Sequence, residues 1–227
     1  MLKPQFNYTP IPRQSVDGKR HYCLPDGSKV PSVTTILDKT KPYEKIQALK
    51  EWKQRVGHQN AQNITTEAAN RGTRMHKWLE DYVNNNRDMG VPGTNPYSKQ
   101  SYNMAQKIVE HGLVHVSELW GIEVPLYVSG LYAGTTDGCG IYKDKPSILD
   151  YKQTNKPKKT EWIEDYFLQL VAYGLAHNET YGTHIKQGVI LMCSQNFEFQ
   201  DWVIKDDEWD FWTEKWLQRL EQYYKLS

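Results

Sequence analysis

Residues 131–152 read LYAGTTDGCGIYKDKPSILDYK, and their pattern decides the fold. Aromatic and β-branched side chains run through 131–142 and again through 147–152, and Lys143-Asp144-Lys145-Pro146 between them reads as a turn. Two antiparallel strands joined by so short a turn set Asp137 close to opposite Asp150. On the second strand the period of two puts the Asp150 carboxylate and the Lys152 ammonium on one face. An Asp-x-Lys alone is a chance-level signal in a chain of 227 residues, and its plain reading is an exposed charge pair. Two carboxylates facing one spot say more. Like charges that close repel unless a cation neutralises them, and a hard, oxygen-liganded ion such as Mg2+ or Mn2+ is the natural occupant. The competing reading is a pair of turn aspartates beside glycines.

Working outward, residues 119–128 form a third strand, joined through Ser129-Gly130 to make a meander. Downstream, 162–177 has helical spacing, 185–193 and 197–203 read as strands, and 206–224 closes as an amphipathic helix. Upstream, Ser32 caps a short helix running to Leu37. Residues 43–56 form a basic helix with Ile46, Leu49, Trp52/Lys53 and Val56 near the helical period. A longer helix starts at Thr65, carries the stripe Met75, Trp78, Leu79, Tyr82 and Val83, and stops at Asn84-Asn85-Asn86. A Gly/Pro-rich loop, 88–96, precedes a helix over 97–111. Residues 1–31 hold turn signals at Pro10/Pro12, Val16-Asp17-Gly18 and Pro25-Asp26-Gly27, which predicts a hairpin-like N-terminal segment. The order of elements predicts an α/β fold with a mixed β-sheet flanked by helices. The length suits one domain, 1–227, divided into the N-terminal segment 1–31, a helical region 32–111, a sheet core 112–205 and a C-terminal helix 206–227.

The net charge of +1 excludes a protein that coats nucleic acid through bulk positive charge. The average conceals an asymmetry: residues 1–58 carry eleven Lys/Arg against five Asp/Glu, and residues 201–227 carry four against seven. The basic end is the better match for a polyanion. Cys23, Cys139 and Cys193 lack the short spacings of a metal cluster, so free thiols and no iron-sulfur cluster are expected. No stretch approaches the length of a membrane span, and the first residues resemble neither a signal nor a transit peptide. The expectation is an intracellular, cytoplasmic protein of a bacterium or phage-infected host with no membrane partner; a mitochondrial matrix protein would require a transit peptide already removed.

Four segments in register, Gly72-Thr73-Arg74-Met75-His76, Gly134-Thr135-Thr136-Asp137, Asp150-Tyr151-Lys152 and Gln169-Leu170-Val171-Ala172-Tyr173, resemble the motif set of RecB-like nucleases in the PD-(D/E)XK superfamily. The nearest resemblance is to compact single-domain exonucleases of mitochondrial genome maintenance and of phages, which also share a segment like Pro31-Ser32-Val33-Thr34-Thr35-Ile36-Leu37. The resemblance covers roughly residues 20 to 205 and implies a restriction-endonuclease-like core. It further implies that His76, Asp137, Asp150 and the Tyr151 backbone carbonyl ligate the metal and that Lys152 orients or activates the attacking water. Beside a cation the Lys152 pKa can be depressed, letting it hold or deprotonate that water. Gln169 and Tyr173 share a helix face, which fits a role in holding Lys152 or a substrate phosphate. Glu123, on the strand before Asp137, extends the acidic set.

For substrate contacts, Lys156, Lys158 and Lys159 follow the catalytic strand in a loop marked by Pro157, and Arg71 and Arg74 flank the His76 motif where they could clamp a phosphate. Trp209, Trp212, Trp216, Leu217, Leu220 and Tyr224 have the spacing of a buried stripe and read as core, whereas Trp52 and Tyr43 on the basic helix read as base-stacking residues. The expected function is a Mg2+-dependent (or Mn2+-dependent) DNA exonuclease acting on single strands or ends in replication, recombination or degradation. The alternatives are a structure-specific or nicking endonuclease and, from another class, a non-catalytic nucleic-acid-binding module. The intact set His76, Asp137, Asp150 and Lys152 argues against the last.

Overall fold

A computed structural model describes residues 1–16 and 18–226. Three short strands, β1 (Arg13–Val16), β2 (Lys19–Cys23) and β3 (Lys29–Pro31), form a small antiparallel sheet in that order, one strand more than the expected hairpin. Of the turn expected at Val16-Asp17-Gly18, Asp17 lies outside the described residues. The turn at Pro25-Asp26-Gly27 forms where expected, with Gly27 at φ +82° and its amide donating to the Leu24 carbonyl at 2.9 Å.

Ser32 starts α1 (Val33–Lys39) by accepting the Thr35 amide at 3.0 Å. Next come α2 (Tyr43–Val56), α3 (His58–Asn84) and α4 (Pro96–His111), the last capped by Asn95, which accepts from the Tyr97 and Ser98 amides. The long helix therefore begins at His58, well before Thr65. Gly57, at φ +83°, separates it from α2. The added turns carry no apolar stripe, Ala61 being their one buried residue. They hold through side chains bonded one turn back, Asn60 to the Val56 carbonyl and Thr65 to the Ala61 carbonyl.

The main sheet comprises β4 (Val116–Val128), β5 (Tyr132–Tyr142), β6 (Lys145–Thr154), then, after α5 (Glu164–Tyr181), β7 (Gln187–Ser194) and β8 (Phe199–Lys205), with α6 (Asp206–Lys225) closing the chain. Strand order follows chain order, and only β6 and β7 pair in parallel, because the helix α5 carries the chain back to the starting end. On one face Met75, Leu79, Met104 and Ile108 of α3 and α4 cover Leu149, Val189 and Leu191. On the other, Ile36, Phe167, Leu170, Trp209 and Trp216 from α1, α5 and α6 cover Ile148, Ile190 and Met192. Helices cover both faces of a mixed five-stranded sheet, an α/β architecture consistent with a restriction-endonuclease-like core. Every residue of β7 is buried, as expected of an inner strand covered on both faces.

Along α6, Trp209, Trp216, Leu220 and Tyr223 are buried, but Leu217 and Tyr224, assigned to the core by spacing, are 51% and 42% exposed. Each stands one position beyond the buried stripe. The first residues strap the outer edge of β4: Lys3 donates to the Leu119 carbonyl at 2.6 Å and Leu119 to the Met1 carbonyl at 2.7 Å. Among the described residues no helix is long and apolar enough to cross a membrane.

Candidate active site

The hairpin of β5 and β6 pairs from Tyr142–Lys145 to Gly138–Leu149, and one further step in that register sets Asp137 against Asp150. There the backbone ladder ends and side chains of β5 replace it. The Thr136 hydroxyl donates to the Leu149 carbonyl at 3.1 Å, and Asp137 Oδ2 accepts the Tyr151 amide at 2.5 Å. β6 keeps its pairing with β7 as far as Thr154. The result is a notch between β5 and β6 into which groups from both helical layers reach.

From α3, His76 Nε2 donates to the Tyr151 carbonyl at 2.9 Å, while Nδ1 stands 3.4 Å from Asp137 Oδ1. Asp150 and Lys152 point to the opposite face, as period two requires, and the ammonium lies 2.8 and 2.7 Å from the two carboxylate oxygens. On α5, Gln169 Oε1 accepts from Lys152 Nζ at 3.4 Å, and the Tyr166 ring lies under the same ammonium at 4.9 Å. Tyr173, one turn beyond Gln169, packs on the bare Gly134, where a Cβ would come within 2.5 Å of the ring. The glycine of the Gly134-Thr135-Thr136-Asp137 segment thus permits a close helix approach.

Among the described residues the acidic, His and Cys side chains able to surround one cation form a single group: His76, Glu123 and Asp137, with ligand atoms within 4.8 Å of one another. Asp150 stands outside that trio, tied to Lys152. Glu123 lies between the pairs Ile122–Gly138 and Val124–Thr136, opposite Asp137 in that register, with its backbone at φ +48°. Burial pushes the Asp137 carboxyl above its ordinary range; Asp150 adds to this, and His76 and Lys152 oppose it. Glu123 is raised as well, by loss of water and then by Asp137. Burial works against the charge of Lys152, but Asp150 and Asp137 outweigh it and raise its pKa. Asp150 is 4% exposed, and its Oδ2 accepts no hydrogen bond of good geometry.

The two arginines near His76 do not stand as free phosphate clamps. Arg71 is 3% exposed, and each of its three guanidinium nitrogens donates once, to Gln153 Oε1 at 2.9 Å, Gln195 Oε1 at 3.1 Å and Asn155 Oδ1. Arg74 bonds Glu67 at 2.8 Å and Ser101 at 3.2 Å and lies over Tyr97. Lys156 and Lys159 are exposed and Lys158 and Trp52 half-buried, none of them among the groups that meet in the notch. Sequence reasoning missed Tyr166, Glu80 and Arg13. Tyr166 is one turn before Gln169 on the same helix face, and Glu80 one turn after His76, so helical spacing could have found both. Arg13 comes from the small sheet and carries no sequence signal. It lines, with Gly72, Thr73, His76, Glu80 and Glu123, an open cavity of about 500 Å³ at the mouth of the site.

A helix-borne histidine, two strand carboxylates and a lysine meet at the parted end of a hairpin, and the curated proteins that this chain resembles in sequence are named exonucleases. No family model matches the chain. The particular likeness is to mitochondrial genome maintenance exonuclease 1: the Xenopus tropicalis protein is 29% identical over 211 residues, covering 86% of this chain and 58% of its own length. The Homo sapiens protein of the same name is 29% identical over 206 residues, with the same two shares. The chain therefore spans little more than half the length of these relatives. Looser structural likenesses, which carry no weight for function, are to an inferred exonuclease of Eubacterium rectale (TM-score 0.49, 14% identity, 69% of this chain and 64% of that one) and to an alkaline exonuclease of Laribacter hongkongensis (TM-score 0.27, 11% identity, 67% and 80%).

Proposed function

We propose that this chain is a divalent-metal-dependent DNA exonuclease that hydrolyses phosphodiesters on single strands or at strand ends, in replication, recombination or degradation of DNA. The observation that carries the reading is the convergence of Asp137, the Tyr151 carbonyl and His76 on one side of the notch with Asp150 and Lys152 on the other.

The donor set fits a cation. Its atoms are carboxylate and carbonyl oxygens with one imidazole nitrogen, which suits Mg2+ or Mn2+. The buried Asp150 carboxylate is ion-paired with Lys152, though its Oδ2 accepts no hydrogen bond of good geometry. Asp137 and His76 would hold the ion, with Glu123, Asp150 and the Tyr151 carbonyl completing the set. A bound ion supplies charge neutralisation at the non-bridging phosphate oxygens and lowers the pKa of a bound water. The chain's own residues supply position. Lys152, kept as an ammonium by Asp150, donates to the attacking water or to the phosphate, and Gln169 with the Tyr166 ring fixes where that ammonium stands. Lys156, Lys159 and the basic helix α2, with Trp52, meet the phosphates and bases of the strand beyond the site. We place the activity inside a cell, in the cytoplasm or in the mitochondrial matrix.

The test is incubation of end-labelled linear and circular DNA, single- and double-stranded, with Mg2+ or Mn2+. Linear single strands are expected to be degraded from an end, circles to survive, and EDTA to abolish the reaction. Asp150→Ala and Lys152→Ala should each lower the rate by ~10²- to 10⁴-fold. Cut circles would point to an endonuclease, and intact substrates under every condition to a binding module.

A further inference from the structure

We propose that Trp162 is a stacking platform for an unpaired base of the strand flanking the scissile phosphate. The proposal rests on the nuclease reading for the identity of the ligand and deepens it by assigning a single-strand subsite.

The chain leaves β6 at Thr154, two residues past Lys152, and returns to that lysine at Tyr166. Between these points the backbone is fixed. The Thr154 hydroxyl donates to the Lys156 carbonyl at 2.7 Å. Gln200 of β8 takes both backbone groups of Lys158, accepting from its amide at 2.7 Å and donating to its carbonyl at 2.9 Å. The Trp202 indole donates to Thr160 Oγ1 at 3.1 Å, and the Trp162 amide donates to the Lys159 carbonyl at 3.0 Å in a 3-10 turn. Ile163, the next residue, is buried in the core.

On this pinned loop the Trp162 ring stands 57% exposed. A lone exposed apolar side chain is ordinary on a protein surface. Trp162 differs because its backbone is anchored before and after, and because cations accompany it. Lys159 Nζ lies 5.5 Å from the ring centroid with its side chain 67% exposed; its pairing with Glu161 Oε1 at 4.0 Å is solvent-exposed and weak, so a phosphate can compete for it, and Lys156 is exposed as well. An indole beside lysines is what a single strand needs: a π face for a base whatever its identity, and positive charge for the adjoining phosphates. Inside a duplex the bases stack on one another on both faces, and none is left free for the indole.

The experiment is fluorescence anisotropy of a labelled single-stranded oligonucleotide in EDTA, where nothing is cleaved, with wild type, Trp162→Ala and Trp162→Phe, each checked for an unchanged thermal midpoint. Trp162→Ala should weaken binding on the order of tenfold and Trp162→Phe by less. An oligonucleotide made wholly of abasic sites should bind the Ala variant and wild type equally, as should a covalently closed circular duplex. Equal affinity of wild type and Trp162→Ala for the normal single strand overturns the proposal, and so does an equal loss on the abasic strand or the duplex. Because hydrolysis is not involved, a chain that binds through Trp162 but never cuts would keep this subsite and refute the nuclease reading. A chain that cuts but binds without regard to Trp162 would do the reverse.

Discussion

Glu123 holds a left-handed backbone, φ +48°, in the middle of a long strand, a conformation that disfavours any side chain but glycine by on the order of 1 kcal/mol. That strain turns its carboxylate towards His76 and Asp137. Glu123→Gly separates structure from function. Relief of strain and the greater freedom of glycine in the unfolded chain oppose each other at about 1 kcal/mol each, so the thermal midpoint should stay nearly constant. Mn2+ affinity by calorimetry should fall at least tenfold; unchanged affinity would remove Glu123 from the metal set. A second buried group lies away from the notch. His177 is fully buried, and its hydrogen bonds have one consistent direction. Thr183 donates to Asn178 Oδ1, so it accepts from His177 Nδ1; Nε2 is then an acceptor for the Tyr8 hydroxyl, whose oxygen accepts from the Cys139 thiol. Protonation would destroy that acceptor, and burial pushes the His177 pKa down to about 4. The unfolded chain binds this proton near pH 6.5, so the contribution to stability is full above pH 6.5 and is lost as pH falls towards 4, by roughly 3 kcal/mol. Urea midpoints should drop across that window, and His177→Asn should flatten the drop; an identical slope in the variant would assign the acid sensitivity elsewhere.

At the scale of elements, α3 ties the site together. Arg71 fastens it to the ends of β6 and β7 through three neutral amide oxygens, and His76 follows one turn later. Only a planar fork reaches all three acceptors. Arg71→Lys should therefore lose about 3 kcal/mol in urea unfolding despite keeping its charge. A loss under 1 kcal/mol would mean that the amides are satisfied without the fork. The functional half of α3 was legible because Met75, Leu79 and Val83 repeat at the helical period. Its first turns were not, since exposed polar residues leave no periodicity to read. Burial of Arg71 was also hidden: its partners, Gln153, Asn155 and Gln195, are more than eighty residues away and carry no charge to betray the pairing.

Across the whole molecule, the three-strand meander was legible because alternation and short turns dictate it, and a helix followed by further strands pointed to a mixed sheet, without saying that β7 would lie beside β6. The approach of Asp137 to Asp150 followed from the same hairpin arithmetic. Metal-ligand geometry did not follow, because it depends on where β5 leaves β6 and on the Glu123 backbone, neither of which is written in hydrophobic pattern. The N-terminal strap on β4 was equally silent, consisting of backbone bonds that any side chains could make. The parting of β5 from β6 has one more consequence. His76 comes from one helical layer and Gln169 from the other, and they meet only where the ladder between the strands has already stopped. Small local displacement of α3 or α5 at this end dismantles the junction while the sheet and the rest of both cores persist. Catalysis should consequently be the first property lost on heating: initial rates should collapse several degrees below the far-UV circular dichroism midpoint, whereas coincident transitions would make the junction as durable as the sheet. The proposed activity would then report the loosening of the site before any spectroscopic probe of the helices did.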